Sequence, residues 1–580
     1  MGVRRCPLSF LTTGLVAAVT AVAGVCVATA PAAGASSPAA DPYAAVAYQH
    51  DPAHDGDSVD PSFVAPLTKA WTTKLAGTVG YPLIADGRVF VTVAHTPNYG
   101  DDVEALSLAT GEVLWGPKVI GGTYHAGSIA FDDGRVFAIN FDGLLTAFDA
   151  ATGAVDWAST LGGQWSFTSP PTAIDGTVYV GGAGSGGTLY AVDETSGTTK
   201  WTAQVMNGDD SSPAADADGV YVSYACEQSY RFALDGSLAW HHATSCEGGG
   251  GRTAVLHAGK LYVRDAFGMS PAVLDADTGA QLGSFAAGPA PAFDEQHMVT
   301  VSGAALTVSD PASGEPIWQA AGNDHVTAPL IANGYVIEGR SGGTVEARYV
   351  QDGTLAWSGN IGTGLTAPDE HNATELVGLA EGDGALAVPA GSTLTIFKPA
   401  GNTDVTITSG PADGMIVGPG RATYTFTSQV ANAQYTCTVD GDTTPCTSPV
   451  ALTDLDDGTH HFSVAVAYAT SGAAARTLRV DANAPTVGLS PFIPLITHTA
   501  TITARWTASD RLSGVRAYQL RIRRARAGTP LPGWSVRAPT TSTSASLRLR
   551  PASRLCASVR AEDTVGNWSG WSTAQCVRRA

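Results

Sequence analysis

Between residues 71 and 398 one pattern recurs eight times: a tight Asp-Gly-type turn, a β run, a second β run, a small-residue turn and then, usually, a tryptophan. It reads Asp133-Gly134-Arg135-Val136-Phe137, Leu145-Thr146-Ala147-Phe148-Asp149 and Thr152-Gly153-Ala154-Val155-Asp156-Trp157. It returns as Asp175-Gly176-Thr177-Val178-Tyr179-Val180, Leu189-Tyr190-Ala191-Val192-Asp193 and Ser196-Gly197-Thr198-Thr199-Lys200-Trp201. A period of roughly 40 residues holding several short strands builds one radial sheet per repeat, so the chain is expected to close into a β-propeller. The inner turns number eight: Asp86-Gly87, Asp133-Gly134, Asp175-Gly176, Asp218-Gly219, Ala258-Gly259, Gln296-His297, Asn333-Gly334 and Asp383-Gly384. The outer anchors are seven: Trp115, Trp157, Trp201, Trp240, Leu282 (with Phe285), Trp318 and Trp357. The last repeat stops at Phe397, and its missing outer strand lies at the other end of the pattern, around Trp71. Ring closure removes exposed sheet edges, so this N-terminal strand should complete the eighth blade. The expected fold class is all-β: an eight-bladed propeller over 67–399 followed by two β-sandwiches.

Upstream of the repeats, Arg4 and Arg5 precede an apolar run from Leu15 to Ala30, with small-residue sites at Ala28-Thr29-Ala30 and Ala33-Gly34-Ala35. That layout predicts a cleaved secretory leader over 1–35, with cleavage between Ala30 and Ala35. Residues 36–66, rich in Pro, Ala and Asp, read as a linker or an ordered strap. Without Cys6 and Cys26 of the leader, six cysteines remain, in three local pairs: Cys226/Cys246, Cys437/Cys446 and Cys556/Cys576. Six cysteines allow 15 connectivities, and local pairing in an oxidising compartment is the expectation. No Cys-x-x-Cys or clustered histidine accompanies them, which argues against a metal site. The net charge of −20 is uneven: residues 485–580 hold 14 Arg, no Lys and three acids, giving +11 and leaving −31 on the remainder. An exported chain with so acidic a main body is a poor nucleic-acid partner. No later stretch predicts a membrane span, and a monomer is expected.

The repeat at 189–201, Leu-Tyr-Ala-Val-Asp-x-x-[Ser/Thr]-Gly-x-x-x-Trp, resembles the quinoprotein-type propeller family, whose members bind pyrroloquinoline quinone or have lost it. The resemblance spans about residues 64–399. Residues 403–483, with Tyr435-Thr436-Cys437, Pro445-Cys446 and Asp457-Gly458-Thr459-His460-His461-Phe462, resemble a bacterial immunoglobulin-like repeat. Residues 485–580, with Trp506-Thr507-Ala508-Ser509-Asp510, Ser513-Gly514-Val515 and Glu562-Asp563, resemble a fibronectin type III-like sandwich. Trp568-Ser569-Gly570-Trp571-Ser572 matches the Trp-Ser-x-Trp-Ser motif of cytokine-receptor domains, where arginines interleave with the rings. Arg560 falls where one such arginine is expected, whereas Ser558 takes the place of another.

For the quinoprotein-type family, the resemblance implies a quinone on the ring axis of active dehydrogenases, over a Trp floor and beside a cation and a general-base Asp. Many members add a vicinal cysteine pair, which this chain lacks, and its connections between blades read as short. The residues opening the inner strands would line the channel mouth: Tyr124, His125, Trp165, Asp209, Asp210, Arg252, His325, and Asp369 with Glu370 and His371. They form the candidate ligand site, although Trp165, beside Phe167, also suits inner-strand packing. Asp216-Ala217-Asp218-Gly219 looks calcium-like but is explained by turn formation. In the last module, period-2 alternation puts Tyr518, Leu520 and Ile522 inward and Arg521 and Arg523 outward, and Leu547-Arg548-Leu549-Arg550 repeats it. Those four arginines are the candidate polymer-binding residues. No catalytic residue or metal ligand is expected. The sequence thus reads as a secreted, non-catalytic binding or scaffold protein for a protein or envelope polymer. The alternative is a quinone-dependent oxidoreductase that keeps its cofactor site.

Overall fold

A computed structural model describes residues 41–580, apart from 96–97, 209–210, 246–249, 266–270, 431 and 470. The leader, Asp209, Asp210 and Cys246 therefore lie outside the described residues. Among those described, eight four-stranded antiparallel units follow one another. Blades 1 to 7 span 83–121, 128–160, 172–205, 214–242, 255–284, 292–319 and 330–360, each running from its inner to its outer strand. Blade 8 is composite: Ala380–Gly382, Ala385–Ala390 and Thr393–Pro399 take Leu67–Lys74 as the outer strand, with Trp71 opposite Ile396. The unmatched strand at Trp71 thus closes the ring, as the repeat count requires.

The turn glycine and the tryptophan of the repeat act across the seam between blades. Six indole N–H groups donate to a carbonyl in the small-residue turn of the next blade: Trp71 to Leu108 (3.1 Å), Trp115 to Ala150 (2.9 Å), Trp157 to Glu194 (2.7 Å), Trp201 to Leu234 (2.9 Å), Trp240 to Ala276 (2.8 Å) and Trp318 to Val350 (2.6 Å). The ring lies on that turn's glycine. At Gly111, Gly153, Gly236, Gly279 and Gly353 a Cβ would sit 2.5–2.7 Å from the preceding blade's indole, and Gly197 repeats the arrangement. The glycine is needed twice, for its left-handed φ (+66° at Gly153) and for the room it leaves. One seam differs. In blade 5 the register puts Gly283, not Leu282, at the tryptophan position, opposite Val273. The facing Gly314 has nothing within 4 Å, and Lys260 Nζ takes the Pro311 carbonyl at 3.2 Å instead.

The two C-terminal modules share one topology. In the first, a three-stranded sheet (405–409, 422–428, 450–452) faces a five-stranded one whose edge strand Met415–Val417 runs parallel to Ala474–Val480. The second repeats that strand order, with Ile496–Thr497 parallel to Gln575–Arg579. Cys437 is bridged to Cys446 and Cys556 to Cys576. Cys226 is also disulfide-bonded. The first module docks on blade 7: the Tyr468 ring packs 5.6 Å from Tyr335, and Asn333 Nδ2 donates to the Tyr468 carbonyl at 3.1 Å.

Candidate functional site

The antiparallel register gives the ring two unlike faces. The Asp-Gly turns and the small-residue turns lie on one, where Tyr468 docks. The loops between second and third strands, and the connections between blades, lie on the other, the entry face. The described candidate mouth residues belong to the entry face, but they do not line a common channel.

The axis is filled from the turn side by residues 41–60, which form an ordered strap rather than a linker. Ala45 bridges Ile84 of blade 1, and the Val46 carbonyl accepts Phe131 N–H of blade 2 at 2.8 Å. His54 Nε2 sits 3.2 Å from Thr172 Oγ1 of blade 3, while Pro52, Ala53, Asp55 and Gly56 carbonyls accept N–H groups of Ala215, Leu256, Phe293 and Ile331 in blades 4 to 7 at 2.8–2.9 Å. The Asp60 carboxylate accepts Gly384 N–H of blade 8. A segment bonded to all eight inner strands occupies the axis.

From the entry side the axis is closed by the connection between blades 7 and 8. Connections between blades were expected to be short, but this one runs over 361–379. Its Glu370 reaches blade 5, where Arg264 Nη2 donates to it at 2.8 Å and Thr253 N–H at 3.0 Å; the two side chains are 2% and 1% exposed. Burial works to raise the Glu370 carboxyl, but Arg264, Arg252 and the Thr253 hydrogen bond together outweigh it and hold the carboxyl below its ordinary range. Glu375 accepts Thr92 Oγ1–H of blade 1, and burial together with the adjoining Asp101 carboxylate pushes it well up. Strap and connection meet at Tyr48, whose ring stands 5.3 Å from Tyr81; burial, then Glu370, raises its hydroxyl far above the usual range.

The site residues predicted from sequence scatter accordingly. His325 is not at a mouth: it is buried, with Nδ1 2.8 Å from the equally buried Glu338. Arg252 donates to the Gly288 carbonyl at 2.6 Å. Asp369 accepts the N–H groups of His371 and Asn372, shaping the connection itself. Trp165 does not pack on the inner strand; it is 74% exposed. Tyr124 is exposed too, its ring 4.8 Å from Phe141 and 5.9 Å from the exposed Tyr99, while His125 Nδ1 lies 2.9 Å from the Gly100 carbonyl. Tyr99, Tyr124, Trp165 and Met206 thus give the entry face above blades 1 to 3 an apolar, aromatic character. The signal for the strap was available in the apolar run Ala44–Tyr48, unusual for a solvated linker.

Pyrroloquinoline quinone does not fit this axis, because Tyr48, His54, Arg264 and Glu370 already fill the position the resemblance assigns to it. Elsewhere, Asp481, Asp510 and Asp563 bring carboxylate oxygens within 4.8 Å of one another where the two modules join. Each is engaged by turn N–H groups, including Ser513 on Asp481 and Gly566 on Asp563.

The candidate arginines of the last module divide between its sheets. Arg521 and Arg523 join a row of alternating rings and guanidiniums: Trp568, Arg560, Trp571, Arg521, Trp534, Arg523, with Cζ 4.3–4.9 Å from the ring centroids. Arg521 takes the place that Ser558 leaves empty, and Trp534 extends the row beyond the sequence motif. Arg548 and Arg550 lie apart from the row, Arg548 on the strand paired with Thr501 in the three-stranded sheet.

A family profile described as "Outer membrane protein assembly factor BamB" matches residues 99–264 and 270–415. Among curated proteins, the dehydrogenase subunit of a quinone alcohol dehydrogenase from Gluconacetobacter polyoxogenes is 30% identical over 29% of this chain and 26% of its own length. The outer membrane protein assembly factor BamB of Moranella endobia is 28% identical over 45% of this chain and 63% of its own. The chain therefore spans about a quarter of the first of these relatives. Among solved structures, BamB from Moraxella catarrhalis is 20% identical, with a TM-score of 0.44, over 58% of this chain and 99% of that one. A europium-containing methanol dehydrogenase is 14% identical, with a TM-score of 0.48, over 62% and 98%. With more than half of its residues inside the matched profile, the chain belongs to the PQQ-like β-propeller family described as outer membrane protein assembly factor BamB.

Proposed function

We propose that this is a secreted, non-catalytic binding or scaffold protein whose propeller engages a protein partner through its entry face. One observation carries the reading: the ring axis is filled by the chain's own strap and by the Glu370–Arg264 pair, so the position of a redox cofactor is taken by structural side chains. The bridged cysteines agree with a non-cytoplasmic compartment, and among the described residues no helix is long and apolar enough to cross a membrane. The aromatic rim of Tyr99, Tyr124 and Trp165 is the kind of surface that protein interfaces enrich.

The test is a titration of the full chain with pyrroloquinoline quinone and calcium, followed by absorption spectra and a dye-linked assay on small alcohols. No stoichiometric spectral change and no turnover are expected. Saturable quinone binding with alcohol oxidation would replace the scaffold reading by the oxidoreductase one. On the positive side, a photo-crosslinker at position 165 should trap a protein from the envelope fraction, whereas one at Thr198 on the turn face should not.

A further inference from the structure

We propose that the tryptophan–arginine row of residues 485–580 is a binding surface for a linear polyol-phosphate polymer. The row combines three features. First, its guanidiniums are fixed in place: Arg521 lies between Trp534 and Trp571 at 4.5 and 4.3 Å, and Arg560 between Trp568 and Trp571 at 4.4 and 4.9 Å. A guanidinium held between two rings keeps its donor fork in one plane, which suits bidentate recognition of an oxyanion.

Second, the charge is not balanced locally. The three acids of the module are engaged elsewhere: Glu562 with Arg516 at 2.7 Å, and Asp510 and Asp563 on turn N–H groups. Among the described residues no carboxylate pairs with Arg521 or Arg523, and their Nε atoms are buried without a hydrogen-bond partner. Burial, then repulsion from Arg523 and Arg560, lowers the Arg521 pKa, so an arriving anion relieves crowding already present.

Third, the row suits a chain of anions rather than a single one. Arg521 and Arg523 lie 4.5 and 4.4 Å from the same Trp534 centroid, and so no further apart than about 9 Å. The two guanidiniums are thus separate donor groups on one row, both against the Trp534 indole. A polymer with one phosphodiester per unit meets the guanidiniums in turn. Single-stranded nucleic acid fits less well, because it binds by stacking bases on open aromatic faces, and both faces of Trp571 and Trp534 are covered by guanidinium.

The experiment uses the full chain and a synthetic glycerol-phosphate oligomer, with affinity read across a salt series. Binding is expected at low salt and should fade as salt passes about 0.15 M. Arg521→Gln/Arg523→Gln should weaken it about tenfold and lower the salt slope by about 2. Arg521→Lys/Arg523→Lys keeps the charge but not the fork, and should recover only part of the loss. Arg505→Gln/Arg548→Gln removes the same charge from the three-stranded sheet and should leave affinity within about threefold. No binding at low salt overturns the proposal. Equal losses in the two Gln doubles reduce it to diffuse charge and overturn the row as the site. Equal affinity for a single-stranded oligonucleotide or for polyglutamate overturns the assignment to polyol phosphate. The outcome is independent of the quinone titration, which tests the propeller alone.

Discussion

The seam between blades 1 and 2 gives a double-mutant test of the repeat. Trp115 is 7% exposed, donates from its indole to the Ala150 carbonyl at 2.9 Å, and lies on Gly153, where a Cβ would come 2.5 Å from Cδ2. Trp115→Ala removes a buried ring and should cost about 3–5 kcal/mol. About 1 kcal/mol of that is the lost hydrogen bond. Gly153→Ala carries two penalties, about 1–2 kcal/mol for an L residue at left-handed φ and about 1–3 kcal/mol for overpacking against the indole. Gly314→Ala isolates the first, since Gly314 has φ +74° and nothing within 4 Å. With Trp115 already truncated, the steric penalty vanishes. Gly153→Ala should then cost no more than Gly314→Ala, giving a coupling of about 1–3 kcal/mol between the two positions. Urea unfolding followed by far-ultraviolet circular dichroism measures wild type, the two single variants, the double variant and Gly314→Ala. If Gly153→Ala and Gly314→Ala cost the same in the wild type, or if the Trp115 and Gly153 penalties simply add, the ring-on-glycine account of the repeat is wrong.

Three further outcomes follow from the same geometry. Deleting residues 67–76 should expose the Thr393–Pro399 edge of blade 8 and give an aggregating species in sedimentation; a monomeric deletion variant with unchanged melting refutes ring closure by that strand. Gly283→Trp should supply the missing indole between blades 5 and 6 and stabilise by about 1 kcal/mol, read as slower amide exchange at that seam, whereas faster exchange would mean the lysine contact suffices. Melting should also depend on pH. Burial and Asp55 push Asp51 up to about 8 and Asp57 to about 7, while burial and Asp101 push Glu375 well up. The folded chain holds these protons after the unfolded chain has released them, so stability is full below about pH 4 for these groups and declines toward about pH 8. Glu370, held low beside Arg264, has the opposite sign and loses its contribution on acidification. Melting should therefore peak at about pH 4–5 and fall toward pH 9, less steeply in Glu375→Gln; a melting temperature that rises over that range contradicts the assignment.

The ring was legible because its information is periodic. Each Asp-Gly turn and each glycine–tryptophan pair is set by local φ and by one neighbouring blade, and eight copies average out an exception such as Gly283. The axis was not legible, because Val46, His54 and Glu370 meet partners 85 to 159 residues away and occur once each. Position within a repeat says where a strand begins, not what packs over it, and His325 is buried against Glu338 of blade 7. Of the two readings the sequence offered for Trp165, inner-strand packing is taken by Phe167, two positions on, which leaves the indole exposed. In the last module strand alternation placed Leu520, Ile522 and the outward arginines correctly. The row itself needed Trp534, which no short motif links to Trp571.

The strap also dictates an order of events during synthesis. Residues 45–60 emerge early, yet their last partner is Gly384, and the strand that follows them waits for Thr393–Pro399. A ring that closed first would have to be threaded by its own chain, which folded proteins avoid. The blades must therefore gather around a strap already in place, like staves raised around a core and hooped last. Non-local closure of this kind is slow, and a nascent chain that ends before residue 393 has no closed state to reach. Commitment to the native ring comes only when about two-thirds of the 580 residues have been made.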